Sequence, residues 1–170
     1  MRKPEREHAE ATRTPKLSGT LAGISGEYFV AAELSRRGFV ASLTLRNTRG
    51  IDILASNADA SKSVGLQVKT SQRRGKSWML NSKAEDYVAP NLFYVLVALG
   101  DGLPAFHIVP SKVVAGQIKT YHAEWLRTPG KRGQPHMDNP LRTFRDKDDK
   151  YLGRWDLLGL NVPGRAAKAT

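Results

Sequence analysis

Glu27, Asp52 and Gln67 each offer side-chain oxygen, and Lys69 offers a mobile cation, at positions that one small fold can bring together. Three oxygen donors that converge make a hard-cation site, suited to Mg²⁺ or Mn²⁺ rather than to a softer metal. A lysine beside such an ion can hold or polarise an attacking water and steady the charge that develops at phosphorus. Burying the acids with no cation beside them would be costly, so their presence in apolar segments calls for a reason. Taken alone, each has a plainer reading. Asp52 could begin a turn after Arg49-Gly50 or pair with a neighbouring arginine, and Glu27 could lie at a helix rim against an arginine.

The elements around them read as follows. Val64, Leu66, Val68 and Thr70 alternate with Gly65, Gln67 and Lys69, so a strand here sends Gln67 and Lys69 to the face away from the apolar stripe. The run Gly50-Ile51-Asp52-Ile53-Leu54-Ala55 is short, apolar and β-branched apart from one carboxylate, which predicts a buried strand with Asp52 near its start. Ser18 to Arg37 has a helical pattern, with Ser18 or Thr20 as N-cap and Gly38 as the stop. Ile24, Ala31 and Leu34 mark its inward face, and Glu27 falls on that face. Phe39 to Leu45 is a first strand, and the Asp52 and Gln67-Lys69 strands pair most simply as a hairpin.

The 170 residues are enough for one ordinary domain with a proper core. A formal net charge of +11 and a pI of about 10.1 favour a polyanionic partner, nucleic acid or an anionic membrane surface. There is no cysteine, so disulfides and thiolate metal sites are excluded. No apolar run reaches bilayer-spanning length, the longest being Leu92 to Leu99, and no signal-peptide core is present. The expectation is a cytoplasmic protein with no membrane partner.

Gly26-Glu27, Gly50-Ile51-Asp52-Ile53-Leu54-Ala55 and Leu66-Gln67-Val68-Lys69-Thr70 together resemble the signature of the PD-(D/E)XK nuclease superfamily, closest to its Mrr-like and Holliday-junction-resolvase-like branches. The resemblance spans about residues 18 to 110. It implies a restriction-endonuclease-like core and a Mg²⁺- or Mn²⁺-dependent nuclease acting on DNA, with RNA as the other substrate. It also implies roles: Asp52 as principal metal ligand, Gln67 and the Val68 carbonyl as lesser ligands, Lys69 as the catalytic cation and Glu27 as the helix carboxylate. Ile51 stands where the family has its proline, and Gln67 replaces an acid, which removes one negative charge. The alternative is a catalytically weak or inactive nucleic-acid-binding protein on the same fold.

Charge supports such a substrate. Between Glu33 and Glu85 the only acids are Asp52 and Asp59, against a run of arginines and lysines from Arg36 to Lys83. Arg49, Arg73, Arg74 and Lys76 flank the proposed site, and Lys131 and Arg132 form a basic tip farther on, so these six are the expected phosphate contacts. Arg127, Arg142 and Arg145 extend that expected DNA-facing lip. Trp78 could stack on a base but more simply packs, and His107 reads as structural. His136 and Asp138 lack the second histidine that a His-Asn nuclease site needs.

The expected architecture is a mixed α/β fold, a central four- to five-stranded sheet flanked by helices. Residues 1–16 form a mobile basic arm, 17–160 a single nuclease-like domain and 161–170 a tail. Within the domain, 18–120 is the core and 121–160 a basic, loop-rich part. Leu92 to Leu99 is a central strand with Ala105 to Val109 as its hairpin partner, followed by a helix capped by Ser111. Cutting both strands of a duplex would ask for a homodimer.

Overall fold

The computed structural model of the chain describes residues 16–45, 50–72, 76–100 and 102–160. Its centre is the strand whose alternation is clearest in the sequence, β3 (Ser63–Ser71). Before it come α1 (Gly19–Arg36), β1 (Val40–Leu43) and β2 (Ile53–Ser56). After it come β4 (Ser77–Asn81), β5 (Leu92–Ala98), β6 (Ala105–Pro110), α2 (Ser111–Arg127) and β7 (Leu141–Arg145). Two 3₁₀ turns, Ser82–Glu85 and Trp155–Leu158, complete the described elements.

Five strands form one mixed sheet in the order β1-β2-β3-β5-β6. β2 runs antiparallel to both β1 and β3, the hairpin expected from the polar Asn57–Ser63 loop. β3 and β5 are parallel, which requires a crossover, and the β4 segment supplies it. β5 is buried along almost its whole length because both of its faces are covered, as its unbroken apolar run demands. β4 and β7 pair antiparallel as a separate two-stranded sheet.

One face of the large sheet carries α1. Val30 and Leu34 pack there on Val64, Leu66 and Val68, joined by Trp155, Leu158 and Leu160 from the chain's last described turn. Leu34 and Leu66 are fully buried, each worth about 1.5–3 kcal/mol relative to exposure. The opposite face is covered by α2 and the small sheet, where Trp78, Leu80 and Phe144 meet Tyr94, Leu96, Val114 and Ile118.

Three local expectations differ in detail. The buried stripe of α1 is Ala22, Gly26, Val30 and Leu34, a strict four-residue spacing, rather than Ile24, Ala31 and Leu34. Gly26 sets this: a Cβ there would lie 1.9 Å from the Thr70 Oγ1, so the missing side chain lets the helix touch β3. Ser18 is the N-cap, accepting the Leu21 N–H at 3.2 Å. Ser111, by contrast, is the first residue of α2, and Pro110 precedes it as the cap. Its hydroxyl instead ties the segment before β5, accepting from Ala89 N at 3.1 Å and donating to Ala89 O at 3.0 Å. Residues 121–160, expected as loops, also carry the end of α2 and β7, because Leu141–Arg145 finds β4 as a partner.

Candidate functional site

The β2–β3 ladder runs from Ser56 opposite Ser63 to Ile53 opposite Leu66, and no further. At that end Asp52 still donates its N–H to the Leu66 carbonyl at 2.8 Å, while its Oδ2 accepts the Val68 N–H at 2.7 Å. The side chain thus supplies the acceptor that the next backbone rung would have provided, so the Val68 N–H is not stranded where β2 turns away. In a strand the N–H and C=O of one residue point to the same side, so the Val68 carbonyl faces the same gap. Thr44 holds the departing segment through its N–H to the Asp52 carbonyl at 3.0 Å and its hydroxyl to the Ile51 carbonyl at 2.5 Å. Gly50, at φ +74°, completes the turn. A Cβ at Gly50 would strike the Tyr87 ring at 2.6 Å, so that aromatic packs directly on the backbone just before Asp52.

Gln67 and Lys69 stand on the face of β3 away from α1, as their parity predicts. Parallel pairing places Tyr94 of β5 beside Gln67, and Leu96 beside Lys69. Tyr94 is fully buried and its hydroxyl has no hydrogen-bond partner among the described residues. Burial, then the nearby Tyr87 and Asp52, push its pKa up to about 12, so it remains a protonated donor at neutral pH. Gln67 and Lys69 also line a cavity of about 810 Å³, whose walls include Met79, Asn81, Tyr87 and Tyr94. Neither Asp52 nor Glu27 lines that cavity.

Asp52, Gln67 and Lys69 are therefore gathered around one end of β3. Glu27 is half-buried on α1, which packs on the other face of the sheet, and it follows Gly26 at the point where the helix meets Thr70. The donors on offer near the ladder end are all oxygens: the Asp52 Oδ1, the Gln67 Oε1 and the Val68 carbonyl. That set fits a hard divalent cation and offers nothing to a thiophilic one.

Among the expected phosphate contacts, Arg49, Arg73 and Arg74 lie outside the described residues. Lys76 is half-exposed and pairs with Asp149. Lys131 and Arg132 are exposed in the turn after α2. Arg142 has a different role from the one its charge suggested. It is 7% exposed, forms an ion pair with Glu85 and donates to the Leu141 carbonyl, so it is a structural clamp and not part of a DNA-facing lip. Arg145 lies over the Tyr121 ring, 4.6 Å from its centroid.

The histidines among the described residues are accounted for by structure. His107 Nδ1 meets Asp146 Oδ2 at 2.6 Å, and the same carboxylate accepts from Lys150 N and Tyr151 N, both at 3.0 Å. Asp149 lies near enough for the three to form a candidate His/Asp/Asp metal cluster, but these bonds already satisfy Asp146, and Asp149 is held by Lys76. His122 Nε2 meets Asp138 Oδ1 at 2.8 Å, and Trp125 stacks on both His122 and His136, tying the loop before β7 to α2. Trp78 is buried and donates its indole N–H to the Val97 carbonyl at 2.9 Å, so it is a packing residue. Tyr94 was not singled out from the sequence. Its only signal there is a hydroxyl inside an apolar run, and its place beside Gln67 depends on the β3–β5 register.

Neither a family profile nor a curated protein matches this sequence. Among solved structures, the chain is similar to a bacterial homing endonuclease, with a TM-score of 0.51 at 12% identity over 84% of this chain and 92% of that one. A Holliday junction resolvase from the archaeal hyperthermophile Archaeoglobus fulgidus aligns with a TM-score of 0.44 at 12% identity, over 82% of this chain and 89% of that one. The mixed five-stranded sheet with its two helices thus has the restriction-endonuclease-like fold expected from the sequence.

Proposed function

We propose that the protein is a metal-dependent nuclease that hydrolyses phosphodiester bonds in DNA. The observation that supports this reading is the end of the β2–β3 ladder, where the Asp52 carboxylate bonds the Val68 N–H, the backbone between Gln67 and Lys69. A nuclease-like fold and a net charge of +11 are consistent with it.

Asp52, Gln67 and the Val68 carbonyl would hold Mg²⁺ or Mn²⁺, with Glu27 as the helix carboxylate. When bound, the ion supplies Lewis-acid activation at the scissile phosphate and lowers the pKa of water. The Val68 N–H fixes the Asp52 carboxylate in one orientation, so its free oxygen is presented without a search over rotamers. Lys69, one residue beyond, positions the attacking water and offers positive charge where negative charge grows on the phosphoryl oxygens. Gln67 contributes an oxygen without a charge, so the site is less negative than one built from two acids. The phosphate backbone is held by Lys76, Lys131 and Arg132, together with Arg49, Arg73 and Arg74. Among the described residues no helix is long and apolar enough to cross a membrane. A cytoplasmic location, and a homodimer where both strands are cut, belong to the same proposal.

The neutral amide at Gln67 favours a second reading, a nucleic-acid-binding protein with weak or no catalysis. Incubating plasmid, branched and single-stranded DNA with Mg²⁺ or Mn²⁺ separates the two. Divalent-dependent cleavage that disappears in Lys69→Ala supports the nuclease. Salt-sensitive binding with no cleavage in any substrate overturns it in favour of the binding protein.

A further inference from the structure

The cavity beside Gln67 and Lys69, at about 810 Å³, is far larger than an ion and a phosphate require and lies in the range of pockets that take an organic ligand. Its chemistry is divided. Lys69 and Lys83 supply positive charge against the single carboxylate of Asp86, whereas Met79, Leu80 and the Tyr87 ring supply apolar surface. β4 turns Trp78 and Leu80 into the core and leaves Met79 and Asn81 on its outer side, with Leu141 paired opposite Asn81. Met79 is 50% exposed and Leu141 53%, so the cavity mouth is edged by apolar side chains that nothing among the described residues covers. At the inner wall stands Tyr94, fully buried with a hydroxyl that has no partner, an arrangement that wastes a hydrogen bond unless a ligand supplies the acceptor. Two amides complete the wall: Asn81, whose oxygen accepts the Lys83 N–H at 3.0 Å and leaves its NH₂ as a donor group, and Gln67, whose NH₂ remains when its oxygen is given to the ion.

An apolar slot with an aromatic ring, a few hydrogen-bonding groups and cations on the side of the proposed scissile phosphate matches a nucleobase attached to that phosphate. Free phosphate would leave the apolar walls wet, and a lipid chain would leave the amides and the phenol unpaired. From this juxtaposition we infer that the cavity receives one unstacked base of the strand being cut, an inference that rests on the nuclease reading. The preferred substrate class follows. Extruding a base from intact duplex costs free energy that a mismatched, gapped or single-stranded position has already lost. DNA with an unpaired base next to the cleaved phosphate is therefore cut roughly tenfold or more faster than fully paired duplex.

Two measurements on the full chain test this. The first compares cleavage rates on paired and mismatched duplexes of one sequence for the wild type and for Met79→Trp, which fills the slot from an exposed position. Met137→Trp, at an exposed position outside the cavity's lining, serves as control. The mismatch preference is expected to collapse in Met79→Trp and persist in Met137→Trp; an unchanged preference in Met79→Trp overturns the inference. The second places 5-iodouracil at successive positions of an oligonucleotide and maps photo-cross-links on Lys69→Ala protein, which needs no cleavage. Cross-links at Tyr87 or Met79 support base insertion, and cross-links confined to other surfaces overturn it. If no DNA is cut by the wild type, the nuclease reading fails while the cross-link map still decides the base pocket.

Discussion

Asp52 Oδ2 accepts the Val68 N–H at 2.7 Å, so one carboxylate both closes the β2–β3 ladder and is the principal ligand of the proposed metal site. The two duties separate on mutation. Asp52→Ala leaves the Val68 N–H unpaired and is expected to destabilise by about 1–3 kcal/mol. Asp52→Asn keeps an acceptor and should stay within about 1 kcal/mol of wild type. Both should abolish divalent-dependent cleavage, read as plasmid nicking beside urea midpoints. Full activity in Asp52→Asn would remove Asp52 from the chemistry.

In the proposed metal site Gln67 offers an oxygen but no charge. Gln67→Glu restores the acid and should lower the Mg²⁺ concentration needed for half-maximal cleavage, because a carboxylate binds a hard cation more strongly than an amide does. Titrating Mg²⁺ against cleavage rate checks it. An unchanged half-saturation point would mean that the side chain at 67 does not touch the ion.

Arg142 and the Lys131-Arg132 pair carry the same charge but should respond differently. Arg142→Ala strands the half-buried Glu85 and should cost roughly 3–5 kcal/mol of stability. Lys131→Ala and Arg132→Ala, both exposed, should leave the melting temperature in place. Each should instead weaken DNA binding across all sequences and reduce the salt slope by about one unit. Binding isotherms at several salt concentrations, paired with thermal melts, distinguish these outcomes.

Gly26 is the contact point between α1 and β3. Gly26→Ala puts a methyl group 1.9 Å from the Thr70 Oγ1 and 3.2 Å from its Cβ, an overpacking expected to cost about 1–3 kcal/mol. Thr70→Ala removes the nearer atom, a buried hydroxyl with no partner, so it should be close to neutral alone and should rescue part of the Gly26→Ala loss. A double-mutant cycle by denaturant unfolding measures that coupling.

Glu33 accepts from both Arg36 and Arg37 on α1, and the Arg36 hydrogen bond foremost holds its carboxyl below the usual 4.5. A folded-state pKa below the unfolded one gives stability that is complete above the unfolded value and is lost as pH falls through the folded value. Glu33→Gln should therefore cost about 0.5 kcal/mol at pH 7, the scale of a surface pair, and less as the pH drops below 4.5. Chemical denaturation of both proteins across that range tests the sign.

Local pattern was enough for much of the scaffold. The alternation of Val64, Leu66 and Val68 with Gln67 and Lys69 makes a strand with two chemically different faces, because side chains in a strand point to opposite faces in turn. Ser18 and Gly38 bound the first helix through capping chemistry that acts within one turn, and the unbroken run at β5 announces a strand covered on both sides. Contacts between distant segments decided the rest. Arg142 looks like any surface cation until Glu85, 57 residues away, is brought against it. β7 reads as loop because a short strand needs its partner, and β4 reaches it only in three dimensions. The helix period fixes neither the exact stripe of α1, which the contact of Gly26 with Thr70 sets as Ala22, Gly26, Val30 and Leu34, nor the side of the sheet the helix covers, so the place of Glu27 relative to Gln67 and Lys69 is a tertiary fact. Periodicity within an element is a property of the backbone alone, whereas burial, ion pairing and the shape of the cavity beside Tyr94 arise from surfaces that meet only after the chain has folded.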